Sequence, residues 1–578
     1  MKFFPRWISA RVCALLLAAM HLSLHAATPP RIVQRPILIY TDIASGPSDG
    51  GENNKGIYLS VFGKNFGQGK LGSTIKVFIG DAEVDNYRGL KPARGRPDIE
   101  QITVQIGMLG GQKAGKPLPV KVVVDGNESV GDVSFMINPG RILFVDNVRG
   151  NDLNAVVGDV DRPFRHVQTS RLTEGAWGVV QPGDFIVMRG TGTNWTDSGF
   201  ENYFLRIQNK SGTAPTGVAG SGPIGVMGYP GEMVMIYRPF VAETADKRDR
   251  TPGGISAVNG LNLPGIGQWV SISNLRIEAG GSDGPINVQI LGNHWRVVNN
   301  ELTAATAVKN SNAKSAGIAG NGFGEVWLGN HIHDVYCGPE TGGPLQNHGI
   351  YIDGDGDFEI AYNVIENIAG GSGFQTYVSG TNGSETTGNV NFHHNLIRGV
   401  GKHGINLADG TKDGIKIFNN IIVNTRYAGL RLNSTQLHRA KIYNNTFNNT
   451  NTEGKSRYGA IMNDWQLAPD AIDMQNNIFV PHPGTDYAGG TVGFGGNIGI
   501  INRNFWHGGK GDVGFDRYPQ SGELKFRAAD KDFHLLPESW AIDAGSAAVA
   551  RIVNNDFDIT TRRPQGLGFD IGAFETTR

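Results

Sequence analysis

The chain has 578 residues, with 52 basic and 53 acidic side chains and a formal net charge of −1. That balance gives no global attraction to nucleic acid or to anionic membranes, and no basic stripe with interleaved aromatics replaces it. Glycine is high at 83 residues but follows no three-residue period, so it reads as many tight turns rather than as collagen.

Residues 1–27 read as an export signal. Lys2, Arg6 and Arg11 precede the apolar run VCALLLAAMHLSL, and small residues at Ala26 and Ala27 suit cleavage. The run is too short for a spanning helix, and no later segment is long enough. Cys13 would leave with the signal, so the mature chain keeps a single thiol, Cys337. No disulfide within one chain and no thiolate metal cluster can then form.

From residue 28 to about 140, short alternating strands are separated by Gly- and Asn-rich turns: GIYLSVFGKNFG (56–67), TIKVFIGDAEV (74–84), EQITVQIG (100–107), LPVKVVVDG (118–126) and VSFMINP (133–139). Their spacing suits a small β-sandwich. The run SVFGKNFG…VFIGDAEV…ITVQIG…VKVVVDG resembles the immunoglobulin-like IPT/TIG domains. That resemblance implies a spacer or a binding module without chemistry of its own, and a rigid stalk is the expectation.

Between Trp295 and Phe479 one phrase recurs: VVNNEL (297–302), VWLGNHI (326–332), IAYNVI (360–365), FHHNLI (392–397), IFNNII (417–422), IYNNTF (442–447) and MQNNIF (474–479). Its shared residues are Asn300, Asn330, Asn363, Asn395, Asn420, Asn445 and Asn477, at spacings of 30, 33, 32, 25, 25 and 32. Such periods mark a solenoid. Inside each phrase the apolar alternation has period two, which makes it a strand. A second strand precedes the phrase: GIAGNG (317–322), HGIYIDG (348–354), SGFQTYV (372–378), HGINLADG (403–410), AGLRLN (428–433) and YGAIMN (458–463). Each coil therefore carries at least two strands, and the fold class is all-β, a parallel β-helix behind a small sandwich. Stacked Asn side chains can tolerate left-handed turns and bond one another from coil to coil.

Flanking this core, RILFVDNVRGNDLNAVVGDVDRPFRHVQ (141–168) and VQPGDFIVMRGTG (180–192) read as the first coils, with long loops expected around 191–220 and 240–265. In IGIINRNFW (498–506) Arg503 is taken to stand where the Asn would be. A capping segment follows from about 506, and its DFHLLPESWAIDAGS and DFDITTRRPQGLGFDIGAFE should cover the last coil. Asp543, Asp556, Arg562 and Asp570 are expected to build that cap.

The whole of 141–578 is similar to the pectate-lyase-like superfamily of right-handed β-helices, which includes pectin, alginate and chondroitin lyases and polygalacturonase-type hydrolases. The similarity implies an exported enzyme acting on a polysaccharide, a monomer needing neither nucleic acid nor a membrane span; because inert adhesins share the coil, a non-catalytic carbohydrate-binding surface protein is the alternative. The polygalacturonase set of clustered Asp motifs is absent as such, and Lys402 and Arg431 loosely match the Lys-then-Arg arrangement of the alginate- and chondroitin-type lyases.

Aligning the second strands on their glycines stacks equivalent positions about 4.8 Å apart. One outward column is Tyr351, Gln375, Asn406 and Arg431, and the next is Asp353, Tyr377, Ala408 and Asn433. Just before the glycines stand His348, Ser372, His403 and Ala428, with Lys402 one place earlier. Elimination beside a uronate carboxylate requires a base, an acid for the leaving oxygen and a cation for the carboxylate. Lys402 or His403 suits the base, Arg431 the cation, and Tyr351, Tyr377 or His348 the acid; Gln375, Asn406 and Asn433 would bind substrate. A hydrolase needs paired carboxyl groups, and Asp353 would draw its partner from Asp355, Asp409 or Asp413. The alternating acids Asp353, Asp355 and Asp357 could also wrap a hard cation such as Ca2+.

Overall fold

The computed structural model describes residues 34–111, 114–171, 173–196, 203–208, 210–214, 221–238, 253–257, 267–279, 286–304, 314–335, 346–378, 386–561 and 563–577. The expected export signal, Cys337 and Arg562 lie outside them.

From Leu205 onward each coil has three faces, because the recurring phrase bends at its Asn and holds a strand on either side. The first face runs through Leu205–Ile207, Ile255–Ala257, Ile286–Leu291, Lys314–Phe323, Gln346–Ala361, Phe374–Tyr377, Ile405–Ala408, Leu430–Asn433 and Ile461–Asn463. The second begins at Ile142–Val145 and passes through Arg296–Val298, Val326–Leu328, Lys416–Phe418 and Ala440–Tyr443 to Gly499–Asn502. The third is a ten-stranded parallel sheet from Met235–Arg238 to Phe505–Trp506. The regions expected as long loops around 191–220 and 240–265 thus contain first-face strands, since LRI and ISA are too short for periodicity to show.

Alternation turns Ile, Val, Leu and Phe from all three faces into one buried core along the coil. At the bend between the second and third faces, a buried Asn donates its side-chain amide to the side-chain oxygen of the next coil's Asn, at 2.8–3.1 Å. The same oxygen accepts the preceding Asn's backbone N–H, and each amide also reaches a backbone carbonyl, as Asn395 does to Ile360. The row is Asn300, Asn330, Asn363, Asn395, Asn420, Asn445, Asn477 and Asn504, and Asp516 ends it. Asn504, not position 503, therefore continues the repeat. Arg503 instead has φ of 52° and belongs to a separate column with Asn299, Tyr362, His394, Asn419, Asn444 and Asn476, all left-handed. The double Asn of the phrase divides two duties: the first residue makes the turn and the second makes the ladder.

The glycines that begin the first-face strands serve the inside of the coil. A Cβ on Gly349, Gly373 or Gly404 would sit 2.3–2.4 Å from Ile365, Ile397 or Ile422 of the third face. They allow close packing of the two faces.

The N-terminal part is a sandwich. One sheet orders Ile37–Thr41, Tyr58–Lys64, Glu100–Gln105 and Asn86–Pro92, all antiparallel. The other contains Ser134–Ile137, Pro117–Val124 and Ile75–Ile79. It is no projecting stalk. Its core is continuous with Ile142, Phe144, Phe185, Val187 and Met227 of the first coils. Tyr40, Phe62, Ala93 and Ile99 pack further along, on Val298, Leu328 and Ala361 of the second face. Arg296 donates to the Asp42 carbonyl at 2.9 Å, and Arg94 pairs with Glu301 at 3.2 Å.

The tail also differs from a simple end cap. Val513 and Phe515 do pack against the end of the core. The chain then returns along the outside, placing Ala541 and Ile571 on Ile478 and Phe505, and Phe557 and Phe574 on Ile421 and Val423. It reaches the sandwich, where Arg96 donates to the carbonyls of His394 and Phe557 and lies 3.9 Å above the Phe557 ring. Asp556, Asp570, Arg563 and Glu575 are buried in this segment.

The ladder makes a quantitative prediction. Asn395→Ala strands the buried backbone N–H and amide of Asn363, which both donate to it, so it should cost about 3 kcal/mol or more. Gln436→Ala, which loses only an exposed bond to Thr411, should cost less than about 0.5 kcal/mol. Urea unfolding of the two variants compares them directly, and equal midpoints would remove the ladder from the account.

Candidate functional site

The residues contacted by the sandwich and the tail belong to the second and third faces, so the first face is where the sequence-derived row must be sought. Ile350, Phe374, Ile405, Leu430 and Ile461 lie in register and are fully buried. Alternation therefore turns Tyr351, Gln375, Asn406 and Arg431 to the opposite side as one column, paired residue to residue. Asp353 is in register with Tyr377, and Ala408 with Asn433.

His348, Ser372, His403 and Ala428 form the row before the glycines, since Gly349, Gly373 and Gly404 donate to the carbonyls of Ser372, His403 and Ala428. Both imidazoles are buried, each 4% exposed. The His348 ring stacks on Tyr351 with centroids 5.4 Å apart, and Tyr351 stacks on Tyr377 at 6.5 Å. His348 Nδ1 accepts the Ser372 N–H at 3.2 Å. His403 meets Tyr427 edge-on at 5.5 Å, and Tyr427 stacks on Tyr458 at 4.0 Å. His403 Nδ1 is buried with no hydrogen-bond partner among the described residues.

Burial and neighbouring cations act together on these rings. Burial, then the Lys402 ammonium, pushes His348 down to about 3. Burial, then Arg431, Lys402 and Arg457, holds His403 well below the usual histidine range. Burial and Arg431 also lower Lys402. Burial, Asp353 and Tyr377 raise the Tyr351 phenol, which stays protonated at neutral pH. Neutral imidazoles, a lowered ammonium and the protonated Tyr351 phenol thus lie close together on the first face.

Three expectations change in detail. Arg431 is already engaged, with Nη2 donating to Asp464 at 2.7 Å. Asn406 is buried and donates to Gln375 at 2.8 Å, so these two amides support one another. The Asn433 side-chain oxygen accepts the Trp465 indole N–H at 2.9 Å. The acids Asp353, Asp355 and Asp357 do not converge. Asp355 and Asp357 take left-handed angles in the long strand Gln346–Ala361, Asp357 accepts from Asn389, and no group of three metal-type ligands assembles among the described residues. Glycine between acids signals the bend of the strand here.

Sequence reasoning missed Asp464, Trp465, Tyr427, Tyr458 and Lys412. Leu430 pairs with Ile461, so Ala460 rather than Gly459 aligns with the glycine row. Reading the row from Ala460 would have placed Lys402, Tyr427 and Tyr458 in one column. Lys412 is wholly buried beneath the bend and donates to the Asp409 carbonyl. Burial lowers it to about 7 against the pull of Asp409 and Asp353.

A second cluster lies on the second face. A cavity of about 340 Å³ is lined by Glu325, Asp357, Glu359, Asn391 and Lys416. Burial raises Glu325 well above the carboxylate range. Glu359 is held low against the opposing effect of its own burial by His393, at 2.6 Å, and by Asn391.

No protein-family model matches this chain, and no curated protein matches it. A solved structure, the catalytic domain of a GH87 alpha-1,3-glucanase in complex with tetrasaccharides, aligns over 86% of this chain and 95% of that chain at 12% identity. Its TM-score is 0.20, too low for the likeness to support an inference. No helix among the described residues is long and apolar enough to cross a membrane.

The neutral imidazoles have a consequence for stability. An unfolded histidine titrates near 6.5, so between that value and about 3 the unfolded chain binds a proton that folded His348 does not. Its contribution is complete above pH ~6.5 and is lost as pH falls, by up to ~1.4 kcal/mol per pH unit. Urea midpoints should drop between pH 7 and pH 5, and the drop should be shallower in His348→Gln. An unchanged profile in that variant would show that His348 is not held neutral.

Proposed function

We propose that this chain is an exported carbohydrate-active enzyme that cleaves an acidic polysaccharide by β-elimination along the first face. The observation that supports this most is the single row in which neutral His348 and His403 stand beside Lys402, Arg431 and the phenols Tyr351 and Tyr377. His403 or Lys402 removes the proton beside the uronate carboxylate. The electron pair forms the new carbon–carbon double bond, the bond to the glycosidic oxygen breaks, and Tyr351 or Tyr377 gives that oxygen a proton; His348, held neutral by burial, is not that acid. The substrate carboxylate shares Arg431 with Asp464 and, where His403 is the base, takes Lys402 as a second cation, which stabilises the charge that develops. Gln375, held from behind by the buried Asn406, presents its amide to the sugar hydroxyls. Residues 1–27 provide export.

One observation favours a second reading. Glu325 and Glu359 line the same cavity with their affinities for a proton pushed apart, the arrangement of a glycosidase acid and its partner carboxylate. Hydrolysis there would release reducing ends without a double bond.

A panel of polyuronates, assayed for unsaturated uronate absorbance and for reducing ends, separates the two. Elimination predicts both signals, and a loss of about 10²–10⁴ in kcat/KM for His403→Ala and for Arg431→Ala. Reducing ends without absorbance, lost in Glu359→Gln, would transfer the chemistry to the second face. Cleavage of no glycan, or full activity in both first-face variants, would overturn the proposed elimination.

A further inference from the structure

Large apolar side chains left exposed usually find some backbone to cover. Trp540 is 64% exposed, yet its ring lies over Gly522, where a Cβ would come within 2.1 Å of it. Trp465 is different. It is 43% exposed and is fixed by hydrogen bonds at both ends: its backbone N–H donates to Asn463 Oδ1 at 3.2 Å and its indole N–H to Asn433 Oδ1 at 2.9 Å. The residue before it, Asp464, is held by Arg431 and by the backbone N–H and hydroxyl of Thr491, both at 3.2 Å. Two neighbouring coils therefore clamp an indole in an exposed position beside the proposed catalytic row.

Trp465 follows the strand that lies one step beyond Arg431 and four steps, about 19 Å of coil axis, beyond Tyr351, and its indole reaches back to Asn433 on the Arg431 coil. A rigid aromatic face at that place fits a pyranose ring, whose axial C–H bonds form an apolar face while its hydroxyls project to the sides. Aromatic rings offer a large contact area with an electron-rich face and little conformational entropy to lose.

We propose that Trp465 is the stacking platform of a sugar-binding subsite beyond Arg431, taking the C–H face of a pyranose ring in an extended oligosaccharide. Asn433 is then a positioning residue that orients the indole, not a direct ligand. The subsite deepens the elimination reading, sharing its groove, and can be tested apart from it.

Kinetics on long oligouronates and calorimetric titration of the same oligosaccharides serve for the full chain and three variants. Trp465→Ala should raise KM and Kd about tenfold with little loss of kcat, and Trp465→Phe should recover most of that. Asn433→Ala should give a smaller rise, about threefold, because it frees the indole without removing it. Unchanged KM and Kd in Trp465→Ala would overturn the subsite while leaving elimination intact. Binding without turnover, weakened by Trp465→Ala, would retain the subsite and remove elimination. If the unmodified chain neither binds nor cleaves, both fall.

Discussion

The buried amide ladder is the constraint from which the rest of the structure follows. A coil bend must turn the backbone inward at a point sealed from water, and every polar group there needs a partner. Each Asn meets that need twice, by accepting the preceding Asn's backbone N–H and amide through one oxygen, and by giving its own amide to a neighbouring carbonyl. The arrangement works only when successive coils agree in register. It therefore fixes the axial position of the coils from Asn300 to Asn504, including their first-face strands, which contribute nothing to the ladder. Asp516 ends it by accepting from Asn504 and from the Trp506 indole.

A three-sided coil has three outer faces, and this chain covers parts of two of them with its own ends. The sandwich extends the apolar core over the early second-face strands, and the tail returns over the third face to meet it at Arg96 and Phe557. The outward positions used for this are apolar or pair across the junction: Val298, Leu328, Ile421, Val423, Arg296. The first face carries Tyr351, Gln375, Arg431, Asp464 and Trp465 instead. The division of labour is visible in residue type. Val298, Leu328, Ile421 and Val423 are covered by another part of the same chain, whereas Tyr351, Gln375 and Arg431 stay half-buried in a row of their own.

Much of this could be read from the amino-acid order because period-two alternation and a repeated Asn are local signals. They locate the strands and the register of Ile350, Phe374, Ile405 and Leu430 without coordinates. What was illegible depended on contacts between distant segments. Nothing local separates the turn-making Asn419 from the ladder Asn420, so Arg503 was taken for the ladder position that Asn504 fills. Nothing local tells that Asp464, on the next coil, holds Arg431, or that Trp465 occupies the Asn433 amide. Buried histidines were also unforeseeable: alternation placed His348 and His403 near the surface, but rings from Tyr351, Tyr427 and Tyr458 enclose them. The acids at 353, 355 and 357 suggested a cation loop because spacing alone does not show that the strand bends between them.

The central claim is that register places a substrate groove on the first face. The most direct measurement is a crystal structure of the His403→Ala variant soaked with an oligouronate. The account predicts a sugar chain lying along the coil axis over Tyr351, Gln375 and Arg431, with one carboxylate between Lys402 and Arg431. Sugar bound instead in the second-face cavity beside Glu359, or against the sandwich, would contradict it.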